Sequence, residues 1–162
     1  MLTHEETAEL TGLLDESPRR EEAAAEALRI VQRRRGWISD EALHDVAGFI
    51  GVAEASLEAV ATFYNRLYRK PVGRHVIFLC DSVSCWIMGF GQVRERLLAK
   101  LGLASMPGTT ADNMFTLLPA TCLGACDRAP VMMVDDELYV DLTPEKVEEI
   151  VEKIRMKDES SY

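Results

Sequence analysis

Apolar residues recur with one period in the first half of this chain and with another in the second. Over residues 2–14, Leu2, Leu10, Leu13 and Leu14 form a short amphipathic helical pattern. Ser17-Pro18 reads as a helix start, with serine as cap and proline at the first helical position. Ala23, Ala27, Leu28, Ile30 and Val31 then recur at helical spacing as far as Gly36, a residue suited to ending a helix. Ser39 is read as the cap of a third helix, with Leu43, Val46, Ala47 and Ile50 on one face and Gly51 closing it. A fourth helix is expected over about residues 53–67, carrying Leu57, Val60, Ala61, Tyr64 and Leu67. Arg69-Lys70-Pro71 breaks the pattern and is read as a link. It separates an N-terminal helical lobe, residues 1–72, from a second lobe, residues 73–162.

The second lobe alternates strand and helix. His75–Cys80 (HVIFLC) is an apolar run of strand length, and residues 87–101 form a helix with Val93, Leu97, Leu98 and Leu101 inward. A second strand covers residues 115–118 and is expected to end at Pro119. Residues 131–134 and 138–140 flank the polar turn Asp135-Asp136-Glu137 as a hairpin. Thr143-Pro144-Glu145 opens a last helix through Val147, Ile150, Val151 and Ile154, and the polar tail 156–162 is expected to fray. The order β-α-β-β-β-α predicts an α/β lobe of thioredoxin size, its first two strands parallel because a helix connects them.

With 162 residues, 48% hydrophobic and 28% charged, the chain has the make-up of an ordinary globular protein with a core. Its apolar runs are far shorter than the roughly 18–20 residues of a membrane span. The first residues lack the basic-then-apolar order of a secretory signal, so none is expected. A net charge of −9 argues against non-specific nucleic-acid binding. The charge is uneven: residues 1–26 hold eight acidic against two basic side chains, and residues 27–100 hold seven against eleven. Such polarity fits either a protein partner or ordinary solvated helix faces.

Four cysteines are too few for a disulfide scaffold, so their placement decides their use. Cys80 ends the first predicted strand, with Cys85 after a four-residue gap; Cys122 follows the second strand, with Cys126 after a three-residue gap. Parallel strands joined by a helix end on one edge of the sheet, so both pairs arrive at one place. Neither pair has the two-residue gap of a thioredoxin redox centre. Structural zinc, a 2Fe–2S cluster, thiol redox chemistry and four buried free thiols all remain open on spacing alone. Gly89, Gly91 and Gly124 flank the pairs and suit backbone N–H donation to a negatively charged cluster, or ordinary turns. Ala120, Leu123, Ala125, Trp86, Ile87 and Met88 are expected to give a dry shell. If the group is 2Fe–2S, Asp81 and Asp127 oppose adding an electron, and a low potential, toward about −400 mV, is expected.

At these residues the chain resembles a known family. CDSVSCWIMG at 80–89 and CLGACDRAPVMMVDD at 122–136 are similar to the thioredoxin-like 2Fe–2S subunit of respiratory complex I. This is the family of the E subunit of bacterial NADH–quinone oxidoreductase, counterpart of the mitochondrial 24-kDa flavoprotein subunit. ALRIVQRRRGWIS at 27–39, VATFYNRLYRKPVGRHVIFLC at 60–80 and LTPEKVEEIV at 142–151 extend the resemblance to about residues 18–156. It implies a helical lobe followed by a thioredoxin-like 2Fe–2S ferredoxin lobe. It assigns Cys80 and Cys85 to one iron, and Cys122 and Cys126 to the other. It also implies a subunit seated on an NADH- and FMN-binding partner, in the peripheral arm on the cytoplasmic side of the membrane. NADH and FMN then belong to that partner, and no GxGxxG follows a strand in this chain; Gly89-Phe90-Gly91 lacks the third glycine. Similar subunits occur with NAD-dependent formate dehydrogenases and NAD-reducing hydrogenases. Trp86 stands where some members have histidine, and Asp112-Asn113 stands where many have Asp-Gly.

No catalytic set is legible, and the chain reads as an electron relay within an oxidoreductase. His4, His44 and His75 are scattered and read as structural or solvated. Trp37, Phe63, Tyr64 and Tyr68 read first as core and second as a partner-facing patch. Arg66, Arg69, Lys70 and Arg74 read as a solvated link or a dock for an acidic surface. Ala129-Pro130 is expected to be trans.

Overall fold

A computed structural model describes residues 1–160; Ser161 and Tyr162 lie outside the described residues. The chain divides into two compact units, Met1–Val72 and Gly73–Tyr162. No single helix among the described residues is long and apolar enough to cross a membrane.

The first unit holds four helices, α1 (His4–Glu16), α2 (Ala24–Arg35), α3 (Asp40–Ile50) and α4 (Glu54–Phe63). Their apolar stripes meet in a core that includes Leu10, Leu28, Val31, Ile38, Val46, Ile50 and Leu57. Ser39 caps α3 by accepting the Ala42 N–H, and Gly51 ends it in the left-handed region. Ser17 is not a helix start. It is the C-cap of α1, and residues 19–24 turn in steps of three before α2 begins. Arg20 leaves this stretch to donate to the Ile50 carbonyl at 2.9 Å, an interaction no local pattern announces. The fourth helix is shorter than expected, because Tyr64 is extended and the chain turns through a Leu67 N–H to Tyr64 carbonyl bond; Leu67 still reaches the core.

Many opposite charges pair within this unit. Arg33 pairs with Glu9 and Glu26, and Arg34 with Glu5 and Glu9. Glu6 is the buried acid. Its carboxylate closes a capping box with Thr3 and receives Arg35 Nε and Nη2 at 2.7 and 2.6 Å. Arg69 is no free docking cation either. It is 19% exposed, pairs with Asp40 at 2.6 Å and Glu58 at 2.9 Å, and donates to the Ile38 carbonyl. Arg69→Ala is therefore expected to lower the stability of the folded chain by about 1–3 kcal/mol, the worth of a hydrogen bond to a charged group. Thermal denaturation checks this, and an unchanged midpoint would contradict it. The aromatic set is not core: Phe63 and Tyr64 are exposed and meet edge to face, and Trp37 and Tyr68 are half-buried.

The second unit is a five-stranded sheet with helices. Its elements are β1 (His75–Cys80), α5 (Val83–Ile87), α6 (Phe90–Leu101), β2 (Gly108–Thr109), β3 (Phe115–Ala120), β4 (Met132–Val134), β5 (Glu137–Tyr139) and α7 (Pro144–Glu159). The strand order is β2-β3-β1-β4-β5. β1 runs parallel to β3 in the register His75–Phe115 to Cys80–Ala120, and antiparallel to β4. Ile77, Leu79, Val93, Leu97, Phe115, Leu117, Val147 and Val151 share one core.

Several boundaries differ from the sequence pattern. The helix expected from residue 87 is split, since Gly89 takes φ +112 and leaves Ile87 in α5. Pro119 lies inside β3 rather than ending it. Phe115 turns its backbone groups toward Thr110, on the β2 side, and Pro119 faces the same way. β2 pairs no further than Leu117, so the donor proline lacks falls beyond its end. α7 runs past Met156, held by Arg155 to Asp112 and by Asp158 to Arg74 and His75. The acidic hairpin turn is also tied down: Asp135 accepts the Val76 N–H at 2.9 Å and meets His75 Nδ1 at 2.6 Å. Ala129–Pro130 is cis, as is Met106–Pro107.

Candidate metal centre

The site grows from the shared end of β1 and β3. Cys80 is the last residue of β1, opposite Ala120, and the Asp81 N–H to Ala120 carbonyl bond locks the two strand ends together. Cys80 Sγ lies 3.8 Å from the Thr121 carbonyl oxygen. Ser82 then occupies the N-cap position of α5, whose single turn carries Cys85 back into the core beside Cys80. Burial and the neighbouring Cys80 thiol push the Cys85 thiol up to about 11. A thiol so raised stays protonated unless a cation replaces its proton.

The second pair comes from the loop after β3. Gly124 takes φ +80, which turns its N–H toward Cys122 Sγ at 3.4 Å. That donor holds the Cys122 thiol below its ordinary range. Cys126 opens a 3-10 turn, Cys126–Arg128, with its sulfur 3.6 Å from that of Cys122; this closeness raises the Cys126 thiol. The pairs also act on each other, since Cys80 bears on both Cys122 and Cys126, and Cys126 on Cys85. Topology thus brings all four sequence-predicted cysteines to one rim, two buried and two exposed.

The residues fit a thiolate-held metal group. Two thiolates on one tetrahedral metal, with bonds of about 2.3 Å, sit about 3.8 Å apart. The 3.6 Å between Cys122 and Cys126 is close to that spacing. Among the described residues, no three His, Cys, Asp or Glu side chains close around a single point, although Cys122 meets Cys126 and also feels Cys80. The histidines lie elsewhere, with His44 on Glu54 and His75 on Asp135 and Asp158.

The dry shell is only half present. Ala120 is buried, and Leu123 and Ala125 pack partly on the core. Trp86 (67% exposed), Ile87 (79%), Met88 and Val83 instead face outward from α5. A five-residue helix that turns Cys85 inward must turn its neighbours outward, which periodicity in so short a segment does not reveal. Asn113 does take the left-handed conformation, at φ +54.

Comparison with known proteins decides among the uses the spacing left open. Residues 10–155 match the thioredoxin-like [2Fe-2S] ferredoxin family, and the chain belongs to it. Its cofactor is accordingly one 2Fe–2S cluster. More particularly, the chain is 48% identical over 134 residues to the E subunit of NADH-quinone oxidoreductase from Escherichia coli (strain K12), covering 82% of this chain and 80% of that one. It is 45% identical over 130 residues to the Pseudomonas aeruginosa protein of that name, covering 80% and 78%. Among solved structures, an NAD+-reducing [NiFe]-hydrogenase in its air-oxidized state shares the fold, with a TM-score of 0.70 at 21% identity over 83% of this chain and 23% of that one.

Proposed function

We propose that this chain is the electron-relay E subunit of an NADH–quinone oxidoreductase. Residues 73–162 bear the cluster and residues 1–72 form a helical lobe. Cys80 and Cys85 hold one iron, and Cys122 and Cys126 the other. The observation that carries this is the delivery of two cysteine pairs to one sheet rim, with the second pair at the separation of two thiolates on one metal. The relatives at 45–48% identity supply the complex. The same rim suits an NAD-dependent formate dehydrogenase or NAD-reducing hydrogenase equally, but hydrogenase likeness at 21% identity speaks for fold alone.

A bound cluster, held by Cys80, Cys85, Cys122 and Cys126, would supply one-electron transfer. The protein's part is to hold the sulfurs, to place the Gly124 N–H on Cys122 and to leave one side of the site open. The exposed apolar residues Val83, Trp86, Ile87 and Met88, in and after the helix that carries Cys85, suit burial against the subunit that binds NADH and FMN. In this reading the chain sits in the peripheral arm on the cytoplasmic side. Exposed Asp81 and Asp127, each next to a ligand, disfavour the added negative charge. A midpoint toward about −400 mV is expected by redox titration, and one near zero would contradict the assignment of these charges.

Co-purification from the source cell tests the complex. A flavoprotein NADH-oxidising subunit together with quinone-reducing subunits is expected. Formate dehydrogenase or hydrogenase subunits without a quinone-reducing arm would overturn it.

A further inference from the structure

The four thiols at the rim differ in access. Cys80 and Cys85 are 1% and 0% exposed, whereas Cys122 and Cys126 are both exposed. The exposed pair is also in sulfur contact, at 3.6 Å, within a loop whose Gly124 supplies the left-handed turn. A disulfide needs the sulfurs at about 2.05 Å, so closure asks for roughly 1.5 Å of movement in exposed side chains. The buried pair cannot be reached by a bulky reagent without opening the core.

We propose that in the cluster-free chain Cys122 and Cys126 form a redox-sensitive dithiol that low-molecular-weight disulfides of the glutathione type close to an intrachain disulfide, leaving Cys80 and Cys85 reduced. In the first step the sulfur of one exposed cysteine attacks the small disulfide. It forms a mixed disulfide and releases one small thiol, its own proton passing to that leaving sulfur. In the second step the neighbouring cysteine attacks the protein sulfur of the mixed disulfide and releases a second small thiol. The chain loses two hydrogens, and one small disulfide becomes two thiols. The bridge removes two of the four donors, so it blocks cluster loading until a reductant reopens it. This consequence, unlike the bridge itself, rests on the ligand assignment proposed above.

The test treats the reduced, cluster-free full chain with glutathione disulfide under anaerobic, native conditions. Free thiols are then alkylated after unfolding, and peptides are mapped without reduction. The expected result is a Cys122–Cys126 bridge with Cys80 and Cys85 alkylated. In parallel, iron and sulfide uptake should fall to background and return after dithiothreitol. A Cys126→Ser chain should stop at a glutathione mixed disulfide on Cys122. A bridge between Cys80 and Cys85, a bridge across the pairs, or stable glutathione adducts on both Cys122 and Cys126 would overturn the proposal. The bridge is mapped without iron, so it can fail while the reduced chain still takes up two irons. A mapped bridge in a chain that takes up no iron even when reduced would instead reject the relay reading and the loading block, and leave the bridge standing.

Discussion

A Cys122→Ser chain is expected to purify without the visible absorbance of an iron–sulfur protein, yet to fold as a cluster-free chain. Cys122 is exposed, and its sulfur meets Cys126, the Gly124 N–H and the Cys80 thiol, so a hydroxyl there still meets water and leaves no cavity. Cys85→Ser is expected to lose the same absorbance and to destabilise the cluster-free chain as well. Its side chain is wholly buried beside Cys80 and Val131, and placing a polar hydroxyl there instead of the thiol costs about 1–3 kcal/mol. Because a metal group that binds only the folded state adds its binding free energy to folding, both variants also forgo the stabilisation that loading gives the parent chain. Iron content, absorbance and denaturation of loaded and cluster-free protein check the pair. Normal cluster content in the Cys122 variant would overturn its role as a ligand.

The second large effect lies in the helical unit. Glu6 is fully buried, and Arg35 with the Thr3 cap holds its carboxyl near about 2 instead of its ordinary 4.5. The folded state therefore favours the ionised form. That contribution, on the order of 3 kcal/mol, is present above the ordinary carboxyl range and is lost as pH falls from about 4.5 toward 2. Glu6→Gln is expected to lower stability near neutral pH by about 3 kcal/mol, since Arg35 loses its paired carboxylate and keeps only the field of Asp45 and Glu41. It should also flatten the fall of stability between pH 5 and about 2. Urea denaturation of parent and variant at pH 7 and pH 3 measures both. An equal loss at the two pH values would show that the ion pair carries none of it.

The parts legible in the sequence are those set by local chemistry. Ser39 and Gly51 bracket α3, Thr143-Pro144 opens α7, and β1 spans the run HVIFLC, as cap, breaker and period rules require. The meeting of the cysteine pairs is legible too, since it follows from parallel strands and their connection. What escapes depends on distant partners. Nothing near Arg69 says that Asp40 and Glu58 will claim it, and nothing near Met156 says that Asp112, Arg74 and His75 will hold the end of α7. Pro119 stays in β3 only because β2 stops short of it. Trp86, Ile87 and Met88 look like shell residues by proximity in sequence. They are exposed instead, with Ile87 about half a turn of α5 away from the buried Cys85.

What the cysteine rim binds decides the function. Metal and sulfide analysis of anaerobically purified chain, with an electron paramagnetic resonance spectrum after chemical reduction, tests it most directly. Two irons and two acid-labile sulfides per chain, with a signal that appears only on reduction, are expected. One zinc in a colourless, signal-free protein would contradict it.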